Sequence, residues 1–574
     1  MTVRSDLDHD AVCATVGRHV LVVAPPGTGK TSVSVRLAGT VAPDLPAEAR
    51  VLLVTFSNQA RVQLEQEAAR QLQPEVRRRV EVANYHGFFR REVWAHRRAL
   101  GLPLDTQITS FRQRRAALEA LDADAISALS SHKGLLEAFA EQQFDCFQDE
   151  RTPSAEIRTR LLDVIEAELR AGRMIFDDLG ALFWRLLETH PVLAAAYARR
   201  YPIVVADEHQ DASELQDAVV RRLGQQRLVV LADPMQLIYG FRGSKPERLG
   251  RHEIECDARF ELTTPHRWHG QEATGQWLLA VRARLQGAAA HAAAPEALRI
   301  IPTEYFNQMK ARTKVEAAQA LRDGMDTVAV IAAFNNDVAQ LRNYLCKEGL
   351  YPRQLGGGDD FEDARADIEQ LPLLGDITNI AVHAIERVSR LVPTLKPAVV
   401  NTVKGRLTPD GINLAGNCGA EAKGLLRALA PLYDQGSGHY VASVVAALDV
   451  CAANKHHLPR VEAVRALRST ADAIAGKIVD LEETLASYAE SVANSAQAAP
   501  RLGRGIYVMT AHQAKGKEFD VAIIVNCGRD QFPDSEDGRR LFYVAITRAS
   551  KRWVLIPPQN DPTPLLRHLA PARR

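Results

Sequence analysis

The sequence predicts an α/β protein with two cores, each built on a parallel sheet and each interrupted by a mostly helical insertion. Short apolar, β-rich runs alternate with helical patterns in two separate parts of the chain, and glycine-bearing or acidic segments directly follow several of these runs. At 574 residues, the chain is also too long for a single hydrophobic core. We expect functional loops at the carboxyl ends of the strands, because parallel strands share that edge.

The predicted strands fall into two sets. Those of the first core are residues 20–23, 51–56, 80–83, 203–206 and 228–232, and those of the second are 298–301, 328–332, 506–509, 521–525 and 553–556. In residues 461–492 apolar positions recur at spacings of three and four, which predicts a long amphipathic helix that packs inside its own domain rather than in a coiled coil. The predicted domains are a first core (1–88 and 199–287), its insertion (89–198), a second core (288–370 and 500–574), and its insertion (371–499).

Composition narrows the class of protein. The chain is 46% apolar and 25% charged with a net charge of +1, so any nucleic-acid site must depend on local charge. Its seven cysteines are scattered without a close pair, which argues against a disulfide framework or a zinc knuckle. No signal peptide and no membrane-spanning apolar run is recognisable, so we expect a cytoplasmic protein without a membrane partner.

Residues 24–31, Ala-Pro-Pro-Gly-Thr-Gly-Lys-Thr, directly follow the first strand and match a Walker A loop. Gly27 and Gly29 let the backbone turn its amide groups toward one point at the start of the next helix. Lys30 would then reach the β- and γ-phosphates, and the Thr31 hydroxyl would hold Mg²⁺. The alternative is an incidental turn, which the preceding strand and the acidic segment described next make unfavourable.

Two adjacent acids, Asp207 and Glu208, directly follow the buried strand 203–206. One carboxylate can hold the Mg²⁺ shell while the other polarises the attacking water. An isolated acidic pair would more often be a solvated turn. Gln236 lies four residues past another strand, where it could sense the γ-phosphate, and Arg267 and Arg548 are candidates to neutralise developing phosphate charge.

Taken together, the motifs resemble those of the UvrD/Rep/PcrA-type superfamily 1A DNA helicases, in a compact form. The resemblance rests on segments in the family's order: 24–31, 55–58, 176–179, 207–211, 236–243, 510–519 and 543–549. It covers both cores and the first insertion, and leaves residues 370–500 without a recognisable motif. It implies two RecA-like P-loop NTPase cores, ATP and Mg²⁺ as cofactors, and movement from 3′ to 5′ on DNA.

The resemblance also implies a role for each matching residue. Glu208 becomes the catalytic base, Gln236, Arg267 and Arg548 contact the γ-phosphate, and ATP draws the two cores together. The implied catalytic residues are Glu208, Lys30, Gln236, Arg267 and Arg548; the metal ligands are Thr31 and Asp207; the nucleotide-binding residues are Ala24, Pro25, Pro26, Gly27, Thr28, Gly29, Lys30, Thr31, Ser32, His266, Gly516 and Glu518, the last at the ribose.

Single-stranded DNA and its junctions with duplex are the implied macromolecular ligands, since aromatic faces stack on any base and polar groups follow the backbone. The predicted stacking residues are Phe56, Tyr239 and Phe241, and the predicted polar contacts are Asn58, His86, Arg242, Thr510 and His512. For any one of the aromatic residues, core packing is the alternative.

Three departures from the family pattern concern the nucleotide base. Asp8 stands near the place of the adenine-reading glutamine, Ser32 replaces an arginine after the loop, and His266 replaces the stacking tyrosine. Our hypothesis is that base selectivity is loosened, so that GTP and other NTPs are accepted beside ATP. A fourth departure, Gln59 where lysine is common, predicts slightly weaker DNA binding.

Two functional interpretations follow from the sequence. The protein is either a motor that unwinds duplex DNA, alone or with a partner, or a DNA-responsive NTPase subunit that regulates a partner such as a nuclease. Compact helicases of the second kind occur in Gabija-type phage-defence systems, which this chain resembles in size and motifs. The short second insertion slightly favours the interpretation as a subunit, because a small accessory domain would need a partner to support unwinding. A degenerate binding scaffold is disfavoured because the hydrolytic residues are present.

Overall fold

In the computed structural model, the described residues form two compact units. The described residues are 7–108, 163, 165–175, 178–238, 246–350, 352, 368, 371–392, 394–454, 464, 467–468, 470–472 and 504–569. The first unit comprises Met1–Pro295, Arg539–Tyr543 and Arg567–Arg574, and the second comprises Glu296–Gly538 and Val544–Leu566. The first unit's long segment therefore ends just after the alanine-rich residues 288–294. The finer division into four domains stays a prediction.

A parallel sheet organises the first unit. Its described strands are β1 (His19–Val23), β2 (Val51–Thr55), β3 (Val80–Asn84), β4 (Gln107–Ile108), β5 (Arg173–Met174), β6 (Ile203–Ala206), β7 (Arg227–Ala232) and β8 (Ala258–Glu261). The sheet has the order β3-β2-β6-β7-β1-β8, and β4 and β5 form a separate two-stranded sheet. The five strands predicted for this core are confirmed. β8 was missed because its four residues include Arg259 and Glu261 and lie only half-buried at the sheet edge.

Helices cover both faces of this sheet, which explains why its central strands are apolar throughout. On one face Leu21 and Leu52 pack with Phe88 and Phe183 in a single buried cluster. On the other face the alternate strand residues form a second cluster, which includes helix residue Val33. The described helices of this unit are Leu7–Ala14, Lys30–Val41, Asn58–Gln71, Pro74–Arg77, Tyr85–Ala95, Asp178–Thr189, Pro191–Arg200, Glu214–Leu223, Pro246–Glu255 and Glu272–Leu285.

The second unit repeats this architecture with another parallel sheet. Its described strands are β9 (Leu298–Ile300), β10 (Thr327–Ala332), β11 (Leu407–Thr408), β12 (Gly411–Ile412), β13 (Gly505–Thr510), β14 (Phe519–Val525) and β15 (Ala549–Ile556). The sheet order is β13-β10-β14-β15-β9, and every pairing in it is parallel. All strands predicted for the second core are confirmed.

The segment between β10 and β13 is mostly helical where it is described, with its own buried cluster that includes Ile385, Leu425 and Leu448. The antiparallel pair β11–β12 within it was not predicted. The predicted helix over 461–492 lies almost wholly outside the described residues. The described helices of the second part of the chain are Phe306–Arg322, Asn335–Lys347, Ile377–Leu391, Pro397–Lys404, Ala420–Gln435, Tyr440–Ala453, Ala511–Ala514 and Glu536–Ile546. Among the described helices, none has the length and apolar character needed to cross a membrane.

Candidate active site

The glycine-bearing loop stands at the carboxyl end of β1, where the sequence placed it. The N–H of Ala24 donates to the carbonyl of Ala232 at the end of β7, at 3.0 Å, which anchors the loop to the sheet. Gly27 and Gly29 have φ angles of 78° and 82°, a region that side-chain-bearing residues seldom adopt. The helix Lys30–Val41 begins immediately afterwards, so its unpaired N–H groups and positive dipole end lie at the loop.

Residues 266–268 pack against the outside of this loop. The N–H of Arg267 donates to the carbonyl of Gly27 at 3.0 Å, and the Arg267 guanidinium lies 5.2 Å from the Trp268 ring centre. A Cβ on Gly27 would come within 2.7 Å of the Trp268 ring, so this glycine is required by packing as well as by φ. The structure thus brings Arg267 and His266 to the loop as predicted, while Trp268 was missed.

His9 covers the loop at its other glycine and was also missed. Its Nε2 lies 3.1 Å from the carbonyl of Thr28, and its ring centre lies 5.3 Å from that of His266. Ser32, by contrast, turns toward a neighbouring helix, since its hydroxyl donates to Glu67 at 2.9 Å. No motif predicted His9, because Thr28 and especially His266 are distant from it in sequence and meet it only in the folded chain.

Lys30 faces the acidic pair at the end of β6. Its ammonium lies 2.5 Å from the Glu208 carboxylate, and its side chain is one-tenth exposed. Burial alone would lower the pKa of Lys30, but the Glu208 and Asp207 carboxylates outweigh it and raise that pKa. The charged side chains of Lys30 and Glu208 therefore meet at the glycine-bearing loop. The two residues themselves are far apart in sequence.

Asp207 has the environment of a cation ligand. It is 3% exposed, its N–H donates to the carbonyl of Val54 at 2.8 Å, and its carboxylate accepts from the N–H of Glu208 at 3.0 Å. Burial raises the pKa of Asp207 to about 6 against the opposing effect of Lys30, and Glu208 adds to the rise. A buried carboxylate beside a second one is stabilised by a cation, and Mg²⁺ prefers such oxygens. The environment of Asp207 therefore suits a Mg²⁺ ligand, while the Mg²⁺-binding roles of Asp207 and Thr31 stay predictions.

The end of β7 joins the same constellation through Asp233. The Gln236 side-chain amide donates to Asp233 at 3.0 Å, and the Arg282 guanidinium donates to its other oxygen at 3.2 Å. Gln210 accepts from the N–H of Asp233 at 3.1 Å and donates to the Glu208 carboxylate. Gln236 and Glu208 are thus linked through two residues that sequence reasoning missed. The sequence could have indicated both residues, because Asp233 directly follows a predicted strand and Gln210 lies inside the acidic motif 207–211.

Arg548, Gly516 and Glu518 belong to the second unit. Arg548 is only 2% exposed, so it is not a solvated arginine at the edge of a helix. Its Nε donates to the carbonyl of Val544 at 2.8 Å and its Nη1 to that of Lys517 at 3.3 Å, which ties together two segments that carry helicase-like motifs. Contacts of these three residues with a nucleotide stay predictions.

The predicted DNA contacts are only partly described. Phe56 and His86 follow β2 and β3, which are neighbours in the sheet, and Asn58 begins the next helix. Thr510 accepts from the N–H of Gln513 at 3.2 Å and so caps the short helix that carries His512. Tyr239, Phe241 and Arg242 lie outside the described residues. The DNA-binding roles of this whole set stay predictions.

A parallel sheet whose strand ends bring together a glycine-bearing loop, a lysine and an acidic pair defines a P-loop nucleotide-binding core. Comparisons with known families agree with this class. Residues 6–256 match the UvrD/REP helicase N-terminal domain, and residues 422–559 match the UvrD-like helicase C-terminal domain. The chain belongs to the UvrD/REP helicase family. The second match begins inside the segment 371–499, where no motif was recognisable, and so corrects that expectation.

Individual relatives are distant in sequence. The chain is 27% identical over 247 residues to the ATP-dependent DNA helicase PcrA of Leuconostoc citreum, an alignment that covers 41% of this chain and 33% of that protein. It is 26% identical over 263 residues to DNA helicase II of Escherichia coli, covering 43% and 36%. For the ATP-dependent DNA helicase UvrD1 of Mycobacterium tuberculosis the identity is 23% over 620 residues, covering 93% and 80%. The chain thus spans about a third of the first relative's length.

Proposed function

We propose that this protein is an ATP-dependent DNA helicase that moves 3′ to 5′ on single-stranded DNA and separates duplex strands. The observation that carries the proposal is the 2.5 Å approach of the Lys30 ammonium to the Glu208 carboxylate over the phosphate loop. This contact supports NTP hydrolysis because it places a cation suited to bind phosphate next to a carboxylate suited to act as a general base. Family membership and the names of the relatives support DNA as the nucleic acid along which the protein moves.

The contacts suggest how the residues divide the work. A triphosphate in the loop competes with Glu208 for the Lys30 ammonium, which frees the Glu208 carboxylate to accept a proton from the attacking water. Asp207 and Thr31 would hold Mg²⁺, which neutralises charge on the β- and γ-phosphates. Gln236, held by Asp233 at 3.0 Å, lies on the link that ends at the Glu208 carboxylate, so it is placed to report the state of the γ-phosphate to the base.

Strand displacement tests the proposal directly. The purified full chain is given ATP and Mg²⁺ with duplexes that carry a 3′ tail, a 5′ tail or no tail. We expect displacement on the 3′-tailed duplex alone, together with ATP hydrolysis that single-stranded DNA stimulates. Displacement only from a 5′ tail would refute the polarity, and hydrolysis indifferent to DNA would refute the motor.

A third outcome has its own meaning. DNA-stimulated hydrolysis without displacement would support the other candidate, an NTPase subunit that regulates a nuclease-containing complex. Mixing the chain with proteins that co-purify with it would then test whether unwinding or nuclease activity appears only in the assembly.

A further inference from the structure

Three buried side chains lie directly behind the acidic pair, and the hydrolysis proposed above uses none of them. A single carboxylate oxygen of Asp217 lies 2.9 Å from Nε2 of His209 and 2.7 Å from Nε2 of His252. His209 and His252 are fully buried, and Asp217 is 2% exposed. Since a carboxylate only accepts, both imidazoles donate from Nε2, and in the neutral ring each Nδ1 is left as an acceptor.

Both acceptors have partners, one just past the end of β3 and one on β1. The hydroxyl of Tyr85 lies 2.7 Å from Nδ1 of His209, and Nε2 of His19 lies 2.8 Å from Nδ1 of His252. Tyr85 directly follows β3 and His209 follows β6, while β2 lies between these strands in the sheet. The Tyr85 hydroxyl thus reaches past the end of one strand to bond the residue next to Glu208.

A second tie comes from the helix Pro246–Glu255, which carries His252. Arg248 of this helix is fully buried, and its Nη2 donates to the carbonyl of Gln210 at 2.8 Å and to that of His209 at 3.2 Å. The helix that begins at Tyr85 carries His86, one of the residues predicted to touch DNA. The turn that bears Glu208 is therefore held both by this helix and by the helix Pro246–Glu255.

Glu208 needs such support, because its φ angle is 53°. A non-glycine residue in the left-handed region is strained, and the strain persists only where neighbouring contacts enforce it. His209 is the next residue, and its side chain and its carbonyl are both fixed by the contacts above. Any movement of Tyr85 or of Arg248 would act on the backbone at Glu208.

We propose that Tyr85, His209, Asp217, His252 and Arg248 form a positioning network that holds Glu208 in its working orientation and couples it to the predicted DNA-contact segment that follows β3. This inference rests on the proposed function, since it needs a DNA-stimulated NTPase. The network makes the base more effective when DNA fixes the start of the helix that follows β3, which carries His86. Its residues act through Glu208 and do not touch the nucleotide.

The same three ligands, His209, Asp217 and His252, could also surround a metal ion. The surroundings favour the hydrogen-bonded network. The Arg221 guanidinium lies 2.9 Å from the second oxygen of Asp217 and 3.2 Å from Nδ1 of His252, so a fixed positive charge already neutralises this carboxylate. A second cation at the same place would be repelled.

The test removes one hydroxyl. Tyr85→Phe keeps the ring and deletes the bond to His209, and we expect the ratio of DNA-stimulated to basal ATP turnover to fall about fivefold, the effect of one buried hydrogen bond, with KM for ATP changed less than about twofold. Tyr201→Phe is the matched control, because Tyr201 is 1% exposed and bonds Glu81 at 2.9 Å outside the network. It should lose similar thermal stability and keep the stimulation ratio.

Asp217→Asn provides a second variant and should lower the ratio further, because it weakens both histidine bonds. Equal stimulation ratios in wild type, Tyr85→Phe and Asp217→Asn would overturn the network while leaving the helicase proposal intact. A wild-type chain without DNA stimulation would overturn the proposed function and this inference together. Stoichiometric zinc in the wild type, lost in Asp217→Asn, would replace the network by a metal site.

Discussion

The two sheets use the same backbone feature for different purposes. Among the described residues, the non-glycine positions with positive φ are Glu208 at 53° and Asn526 at 51°, and each lies just past the carboxyl end of a central strand, β6 in one sheet and β14 in the other. Asn526 donates from its amide to Asp337 at 2.9 Å. Glu208 instead presents a carboxylate to Lys30.

The difference shows where strain is tolerated and why. Asparagine adopts the left-handed region at modest cost, so the turn after β14 needs only one side-chain bond to a neighbouring helix. Glutamate does so less readily, and the turn after β6 is surrounded by fixed contacts through Gln210 and Arg248. The first sheet therefore keeps a costlier residue where the proposed hydrolysis requires its carboxylate, and the second has a tolerant residue at the corresponding turn.

The largest expected effect comes from removing the proposed general base, Glu208. Glu208→Gln keeps the shape of the side chain but cannot accept a proton, so we expect kcat for ATP hydrolysis to fall about 10³-fold, within the usual range for losing a general base. Nucleotide affinity, measured by fluorescence titration, should stay within a few-fold. Turnover within tenfold of wild type would remove Glu208 from the mechanism. Asn526→Asp, a change of similar size at the other turn, should leave turnover per folded molecule unaltered.

Lowering the pH should destabilise the first unit, which contains His209, Asp217 and His252. Burial lowers the pKa of His209, and it lowers that of His252 to about 4, while hydrogen bonds from both imidazoles hold the pKa of Asp217 below its usual range despite burial. In the window from about pH 6.5 to 4 the unfolded chain therefore binds more protons at His252 than the folded chain does, so stability falls as pH falls. The loss at His252 alone approaches about 3 kcal/mol.

Hydrogen exchange at pH 7 and pH 4.5 measures this effect unit by unit. Amides of β6 and β7 should lose protection at the lower pH, and in His252→Gln the loss should shrink because one titrating group is gone. Identical pH dependence in the variant and the wild type would contradict the assignment to His252.

A smaller effect is expected at the second turn. Asn526→Ala loses the bond to Asp337 and places alanine at positive φ, so unfolding free energy should fall by about 1–2 kcal/mol. Asn526→Gly also loses the bond, but glycine adopts positive φ without strain. Its unfolding free energy should therefore fall by less than that of Asn526→Ala. Urea denaturation compares the three chains. If alanine and glycine were equally destabilising, φ would be irrelevant there and the comparison with Glu208 would weaken.

The smallest effect concerns the nucleotide base. With His266 in place of a stacking tyrosine and Ser32 bonded to Glu67, we expect kcat/KM for GTP within about threefold of that for ATP, since a lost stacking contact is worth only about 1 kcal/mol. Steady-state hydrolysis of the four NTPs measures this. A strong preference for ATP would refute loosened selectivity, and His266→Tyr should increase the preference for ATP.

Much of the fold was predictable because it depends on local pattern. Short β-branched runs predicted the buried strands of both sheets, and β8 escaped because an edge strand lacks a continuous apolar run. The phosphate loop and the acidic pair were predictable for a related reason. Their chemistry lies in residues adjacent in sequence, and strand ends bring them to one edge of a parallel sheet.

The sequence by itself therefore determined the two parallel cores, the lysine-bearing loop and the carboxylates that follow β6. Only the tertiary structure decided which distant side chains support them. Tyr85 and His209 are 124 positions apart and meet because β3 and β6 are separated in the sheet by β2 alone. Buried polar groups must find hydrogen-bond partners, and which partners are in reach depends on strand order and helix packing, which local sequence pattern does not encode.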